Sequence, residues 1–135
     1  MSPFDATLGR LERSLDVRLE RQNVLAGNIA NVDTPGFVPL DVDFKAAMEQ
    51  AQAAKAPEVE RSGGHIALDA PPPGGHGAAP RVVAEGARPG LDGNAVDLDR
   101  TMVAMAQNAL QYAAGAKAAA KKLAILRYVA SDGAG

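Results

Sequence analysis

Two apolar stripes of heptad spacing bracket this chain. Near the N-terminus, Phe4, Leu8, Leu11, Leu15, Arg18, Gln22, Leu25, Ile29 and Val32 follow one another in steps alternating between four and three. Near the C-terminus the same alternation runs through Leu98, Met102, Met105, Ala109, Tyr112, Ala116, Ala119, Leu123, Leu126 and Ala130. A spacing averaging about 3.5 residues keeps a seam on one side of a helix and favours coiled-coil packing. The pattern predicts a mainly α fold: long N- and C-terminal helices forming a coiled-coil pair around an irregular middle.

The first helix is expected to start at Ser2, Pro3 or Asp5, where a capping side chain and an early proline suit a helix N-terminus. It runs to about Asn31, and Leu19 and Val24 beside the seam allow a broader apolar face. Gly27 inside it costs about 1 kcal/mol relative to Ala, tolerable where another backbone comes close. Thr34-Pro35-Gly36-Phe37 stops the helix, because Pro35 lacks an N–H and disfavours helical geometry at Thr34. Pro at the second and Gly at the third position fit a type II turn, with Gly36 at positive φ and Phe37 sent away as an anchor. Asp43 is placed to cap a short helix carrying Phe44, Ala47 and Met48 on one face. From Ala56 to about Ala95, Gly-Gly, Pro-Pro-Pro and Pro-Gly runs exclude long regular elements and leave room for short strands near His65–Leu68 and Arg81–Ala84. Asp97 reads as the N-cap of the second long helix, which Ser131, Asp132 and Gly133 end. The expected organisation is therefore 1–33, N-terminal coiled-coil helix; 34–96, turn, short helix and irregular contact segment; 97–131, C-terminal coiled-coil helix; 132–135, tail.

Composition sharpens this reading. The 135 residues are 47% hydrophobic, but much of that is alanine, aromatics are 4%, and there is no Trp. Alanine favours helix and buries little area, so a large self-sufficient core is not expected. Net charge is −2 with no sustained basic block, which argues against a nucleic-acid partner. Absence of Cys excludes disulfides and thiolate metal sites. No cleavable leader is apparent, since Asp5, Arg10, Glu12 and Arg13 interrupt the N-terminus, and Lys117, Lys121 and Lys122 break the most apolar stretch.

Candidate chemistry is sparse. His65, Asp69 and His76 match no metal-ligand spacing. Asp92, Asn94 and Asp97 fail the calcium-loop pattern, which wants Gly sixth and Glu twelfth where this chain has Asp97 and Val103. Asp41 and Asp43 alternate with Val42 and Phe44, which suggests an acidic exposed face rather than paired catalytic carboxylates. With no phosphate loop or nucleophile elbow either, no catalytic, metal or cofactor residue is assigned and no cofactor is expected. The assigned residues are instead those of assembly. Leu8, Leu11, Leu15, Leu25 and Ile29 should meet Leu98, Met102, Met105, Tyr112, Leu123 and Leu126, within or between subunits. Asn28 and Asn31 should fix register, as buried Asn does in coiled coils. Phe4 and Leu8, an aromatic four residues before a leucine, are a candidate export signal.

The run from Gln22 to Phe37, with its core Ala26-Gly27-Asn28-Ile29-Ala30-Asn31-Val32-Asp33-Thr34-Pro35-Gly36-Phe37, resembles the N-terminal signature of bacterial flagellar rod and hook proteins. Asp41-Val42-Asp43-Phe44, Leu91 to Arg100 and Asn108-Ala109-Leu110-Gln111-Tyr112 resemble the proximal rod members in particular. The sibling proximal rod protein FlgC shares the first signature but usually has Arg where this chain has Leu110. Gly27 stands where the family commonly has Ala, and Thr101 where an acidic residue usually stands. The likeness covers about residues 8–44 and 90–129 and implies a structural subunit of the basal-body rod, which transmits torque and encloses the export channel. It implies as partners copies of the chain itself, other rod proteins, the adaptor FliE, the MS ring and the flagellar export gate. It implies a periplasmic rod location reached by type III export without a cleaved signal peptide. The competing expectation is a soluble helical adaptor or export chaperone.

Overall fold

The computed structural model describes residues 3–53, 79–90 and 93–131, with the backbone alone at residues 3–5. Helix α1 spans Pro3–Ala30, strand β1 Leu40–Val42, helix α2 Phe44–Ala53, strand β2 Arg81–Val83 and helix α3 Leu98–Ala130. At 28 and 33 residues, α1 and α3 are about 42 and 50 Å long. The long helices are antiparallel: Leu15 meets Gly115, and Gln22 meets Asn108.

Local signals explain the boundaries. Pro3 is the last proline before Pro35, so nothing interrupts α1. The helix closes with tightened turns, Asn31 N–H to Asn28 C=O and Val32 N–H to Ile29 C=O, both 3.2 Å. The Asp43 carboxylate accepts from Ala46 N–H at 3.0 Å and caps α2. Asp97 caps α3 in the same way, accepting from Arg100 N–H at 2.9 Å, and Asp99 in its first turn suits the helix dipole. Ser131 ends α3, its N–H bonded to Arg127 C=O.

β1 and β2 form a two-stranded antiparallel ribbon with Leu40 opposite Val83 and Val42 opposite Arg81. β2 lies where the sequence allows a strand; the other expected strand, His65–Leu68, lies outside the described residues, as do His65, Asp69 and His76. β1 had no strand signal of its own, and it is held from the α1 side as well as by β2.

The apolar core sits between α1, the ribbon and α2. Val17, Val42 and Ala47 are buried together, with Val24, Phe44, Met48 and Ala79 packed against them. The α1 face used here is distinct from the one turned to α3, so α1 is the element around which both sides are organised. Among the described residues Leu25, Pro39 and Ala51 complete the buried apolar set. That is little burial for two helices of this length.

Candidate assembly surfaces and the Thr34–Phe37 turn

The seam between α1 and α3 is built from α1 outward. Leu25 is 3% exposed, while Leu8, Leu11, Leu15 and Ile29 are half-buried. The polar pair Arg18 and Gln22, which dilutes the heptad stripe, finds polar partners on α3. Asn108, 1% exposed, donates from Nδ2 to the Arg18 carbonyl and to Gln22 Oε1, both at 2.8 Å. Arg18 donates to Gln111 Oε1 and lies 4.6 Å above the Phe44 ring, a cation–π contact linking the seam to α2. Burial, and then the neighbouring Arg21, lower the Arg18 pKa from its usual value, although a guanidinium stays charged at any physiological pH.

The α3 face turned to α1 is rotated from the heptad stripe read in the sequence. Thr101 and Asn108 are its buried residues, Gly115 contacts Leu15, and Met105 is half-buried. Thr101 donates its hydroxyl to the Asp97 carbonyl at 2.7 Å, satisfying itself within α3. Leu98, Met102, Tyr112, Leu123 and Leu126, by contrast, are exposed in the single chain. Gly27 has nothing within 4 Å of a built Cβ, so the close approach of another backbone expected there is not found; the helical glycine that makes room for the partner helix is Gly115, where the Leu15 side chain would stand 3.2 Å from a Cβ.

Asn28 and Asn31 serve the exit of the chain from α1. Asn28 is 2% exposed; its Nδ2 donates to Leu40 C=O at 2.6 Å and its Oδ1 accepts from Leu40 N–H at 3.0 Å. One carboxamide thus plays the part of a neighbouring strand on the open edge of β1. Asn31 donates to Gly27 C=O within its own helix at 2.8 Å. The cross-helix asparagine is Asn108, which periodicity could not single out because its position lies off the apolar stripe.

Thr34–Phe37 forms the expected turn. Phe37 N–H donates to Thr34 C=O at 3.2 Å, Gly36 has φ +76°, and Phe37 is half-buried. Gly36 N–H also donates to Gly93 C=O at 3.3 Å, which ties the turn to the loop leading into α3. The Phe4 side chain lies outside the described residues.

Asp41 is no simple solvated carboxylate. Arg21 grips it with two bonds of 2.7 Å, Nε to Oδ1 and Nη2 to Oδ2, and Val42 N–H adds a third at 2.7 Å. Burial alone would raise the Asp41 pKa, but the hydrogen bonds from Arg21 and Val42 and the charge of Arg21 together hold it below its usual value. For Arg21 the bonds to Asp41 outweigh burial and raise the pKa. Asp43, the other carboxylate of the alternating pair, is spent on the α2 cap.

A cleft of about 310 Å³ lies between α1, the ribbon and the start of α3, with Arg21, Asn28, Asp41, Arg100 and Gln107 in its wall. Asp41 and Asn28 are already engaged there. The Arg100 guanidinium packs so closely over Gly86 that a Cβ there would stand 2.0 Å from Nη1. Among the described residues no three His, Cys, Asp or Glu side chains gather as metal ligands, and no helix is long and apolar enough to cross a membrane.

Comparison with known proteins agrees with this architecture. The family model described as "Flagella basal body rod protein" matches residues 15–37, the stretch from mid-α1 through the turn. Flagellar basal body rod protein FlgB of Escherichia coli K12 is 37% identical over 118 residues, covering 83% of each chain. FlgB of Salmonella typhimurium is 34% identical over 121 residues, again covering 83% of each. FlgB of Yersinia enterocolitica is 36% identical over 118 residues, covering 83% of this chain and 84% of its own. With a helical pair at its ends, a type II turn between them and relatives matched along most of their length, the chain belongs to the FlgB family of flagellar basal body rod proteins.

Proposed function

We propose that this rod subunit is a load-bearing element whose α1/α3 pair, packed against neighbouring subunits, transmits torque and encloses the channel through which exported proteins pass. It is not an enzyme. The observation that carries the reading is the distribution of large apolar residues. Leu98, Met102, Leu123, Ile125, Leu126 and Val129 are exposed on α3, while the intrachain seam is polar or small at Thr101, Asn108 and Gly115. Large apolar side chains left exposed at both ends of one helix mark interaction surfaces. Subunits repeated by heterologous contacts about a screw axis build an open tube.

In this reading Leu98, Met102, Leu123 and Leu126 meet other subunits, while Leu8, Leu11, Leu15, Leu25, Ile29 and Met105 hold the pair together. The Thr34–Phe37 turn passes load from the inner helices to the ribbon. The neighbours are copies of the chain, other rod proteins, FliE, the MS ring and the export gate. The subunit reaches its periplasmic position through type III export without a cleaved leader, with Phe4 and Leu8 contributing to recognition.

Leu123→Asp and Leu126→Asp test the proposal. Both side chains are exposed in the single chain, so the circular dichroism of the purified variants should match that of the parent. Their incorporation into basal bodies should fail, because a charge would be buried at the contact. Normal incorporation and motility would overturn the proposal in favour of a soluble adaptor.

A further inference from the structure

Both long helices carry a second row at heptad spacing beside the seam between them; on α3 its first two members, Val103 and Gln107, line the cleft, and the others are not part of that wall. On α1 it runs Glu12, Asp16, Leu19, Asn23 and Ala26, with Leu19 53% exposed. On α3 it runs Val103, Gln107, Leu110, Ala114, Lys117 and Lys121, with Leu110 73% exposed. Spacing of four and three is that of a helix-packing seam, and on each helix a leucine stands uncovered within it.

The two rows are opposite in charge. From Thr101 to Ala130 α3 contains no carboxylate at all. Lys117 and Lys121, one turn apart, repel each other, and neither is hydrogen-bonded or ion-paired to a described residue. The helix dipole does not account for them, since its influence is confined to the last turn, where Arg127 is the only basic residue. On α1 the corresponding row presents the exposed carboxylate of Glu12.

The rows are also in register. The contacts Leu15–Gly115 and Gln22–Asn108 fix which residues lie level along the antiparallel pair. By that ruler Leu19 stands level with Leu110, Asn23 with Gln107, and Glu12 with the Lys117 turn. A second copy set alongside in the same orientation would therefore bring leucine to leucine and carboxylate to ammonium. An α3-to-α3 contact would instead offer Lys117 and Lys121 no carboxylate, since none lies between Thr101 and Ala130.

We propose, building on the rod-subunit reading, that the outer row of α1 docks laterally on the outer row of α3 of a second copy. The contact is heterologous, so it repeats from copy to copy around the tube. Glu12 pairs with Lys117 and Lys121, and Leu19 packs on Leu110.

Because the chain has no cysteine, Leu19→Cys with Leu110→Cys gives a clean cross-linking pair. Oxidised basal bodies carrying both changes should yield a ladder of dimers and higher species, and neither single variant should dimerise. Glu12→Lys, or Lys117→Glu with Lys121→Glu, should each lower the retained copies about tenfold or more, and all three changes in one chain should restore them. Three results overturn the lateral contact while leaving the rod reading intact: no ladder from chains present in basal bodies, dimers from Leu110→Cys alone, or no rescue by the combined reversal. Absence of the unaltered chain from basal bodies would remove the rod reading, and the contact with it.

Discussion

Asn28→Ala is the most direct probe of how the inner helix holds the rest of the chain. The side chain is nearly fully buried and satisfies both backbone groups of Leu40, N–H and C=O, at 3.0 and 2.6 Å. Leu40 turns these groups away from β2, whose ladder runs through Pro39, Asp41 and Asp43. Truncation therefore leaves two buried backbone groups without partners. A lost hydrogen bond costs about 1 kcal/mol when water replaces the partner and about 1–3 kcal/mol when nothing does. Two such groups, partly hydrated through the hole left by the carboxamide, give about 2–4 kcal/mol. Against a domain stability of about 5–15 kcal/mol that is a large fraction.

The loss should be local before it is global. Hydrogen exchange followed at single amides should show Leu40 and Val42 losing protection, together with the α2 cap at Ala46, while the α1·α3 amides near Leu15 and Gly115 change least. Asn28→Asp separates the two bonds. It keeps the acceptor for Leu40 N–H but sets a carboxylate oxygen against Leu40 C=O, so it should destabilise the ribbon at neutral pH and recover as the carboxyl protonates. Unchanged protection at Leu40 in Asn28→Ala would refute the reasoning, because it would mean that the carboxamide does not hold the strand.

Three further outcomes are expected. Asp41 has a folded pKa below its unfolded value of about 3.9, so the stability from its Arg21 pair is fully present above that value and is lost as pH falls through the folded pKa; Asp41→Asn should flatten that acid limb of urea-melt stability, and an unchanged limb would sink the assignment. Gly36→Val should cost about 1–2 kcal/mol through backbone conformation alone, because φ is +76° and a Cβ would touch nothing within 4 Å; Gly36→Asn should recover much of the loss, and equal melting temperatures for all three chains would contradict the turn assignment. Asn108→Leu should be neutral or stabilising, since Asn108 Oδ1 is buried without a partner and removing it relieves a desolvation cost of about 1–3 kcal/mol; a loss of several kcal/mol on urea denaturation would show that the two Nδ2 bonds dominate.

What the sequence reveals, and where it stops, follows from the range of each signal. Caps, turn and helix ends are local: Asp43, Asp97 and Thr34–Phe37 each act within four residues, and each is found where the local chemistry puts it. The α1 stripe is legible because leucines and an isoleucine outnumber the alternatives on that face. β1 is not legible as a strand, because its outer edge is completed by Asn28 from twelve residues away, and Asp41 is read as solvent-facing only while Arg21 is out of view. Gly27 and Gly115 make the same point in reverse. Both are glycines inside long helices, and only tertiary contact decides which of them allows two helices to approach.

On α3 the difficulty has a different origin, and it bears on what the chain is for. A heptad stripe marks every apolar surface a helix presents, whether the partner is the same chain or another. Through Leu98, Met102, Leu123 and Leu126 the stripe marks a helix that needs covering, yet in the single chain α1 lies over Thr101, Asn108 and Gly115. An intrachain seam with a buried amide and a glycine is a weak one by burial. It leaves the bulkier side chains, Leu110, Lys117 and Lys121 for other molecules. A helix so divided is poorly suited to a self-sufficient monomer and well suited to a wall in which each subunit completes the next. The test lies in comparing the two classes of position: Asn108→Ala, which removes the Nδ2 bonds to Arg18 and Gln22 and leaves a hole, and a large side chain at Gly115, which would meet Leu15, should lower the melting of the isolated chain, whereas substitutions at Leu123 and Leu126 should move assembly alone. If both classes proved to act on the isolated chain to the same extent, the division of α3 into an inner and an outer surface would be wrong.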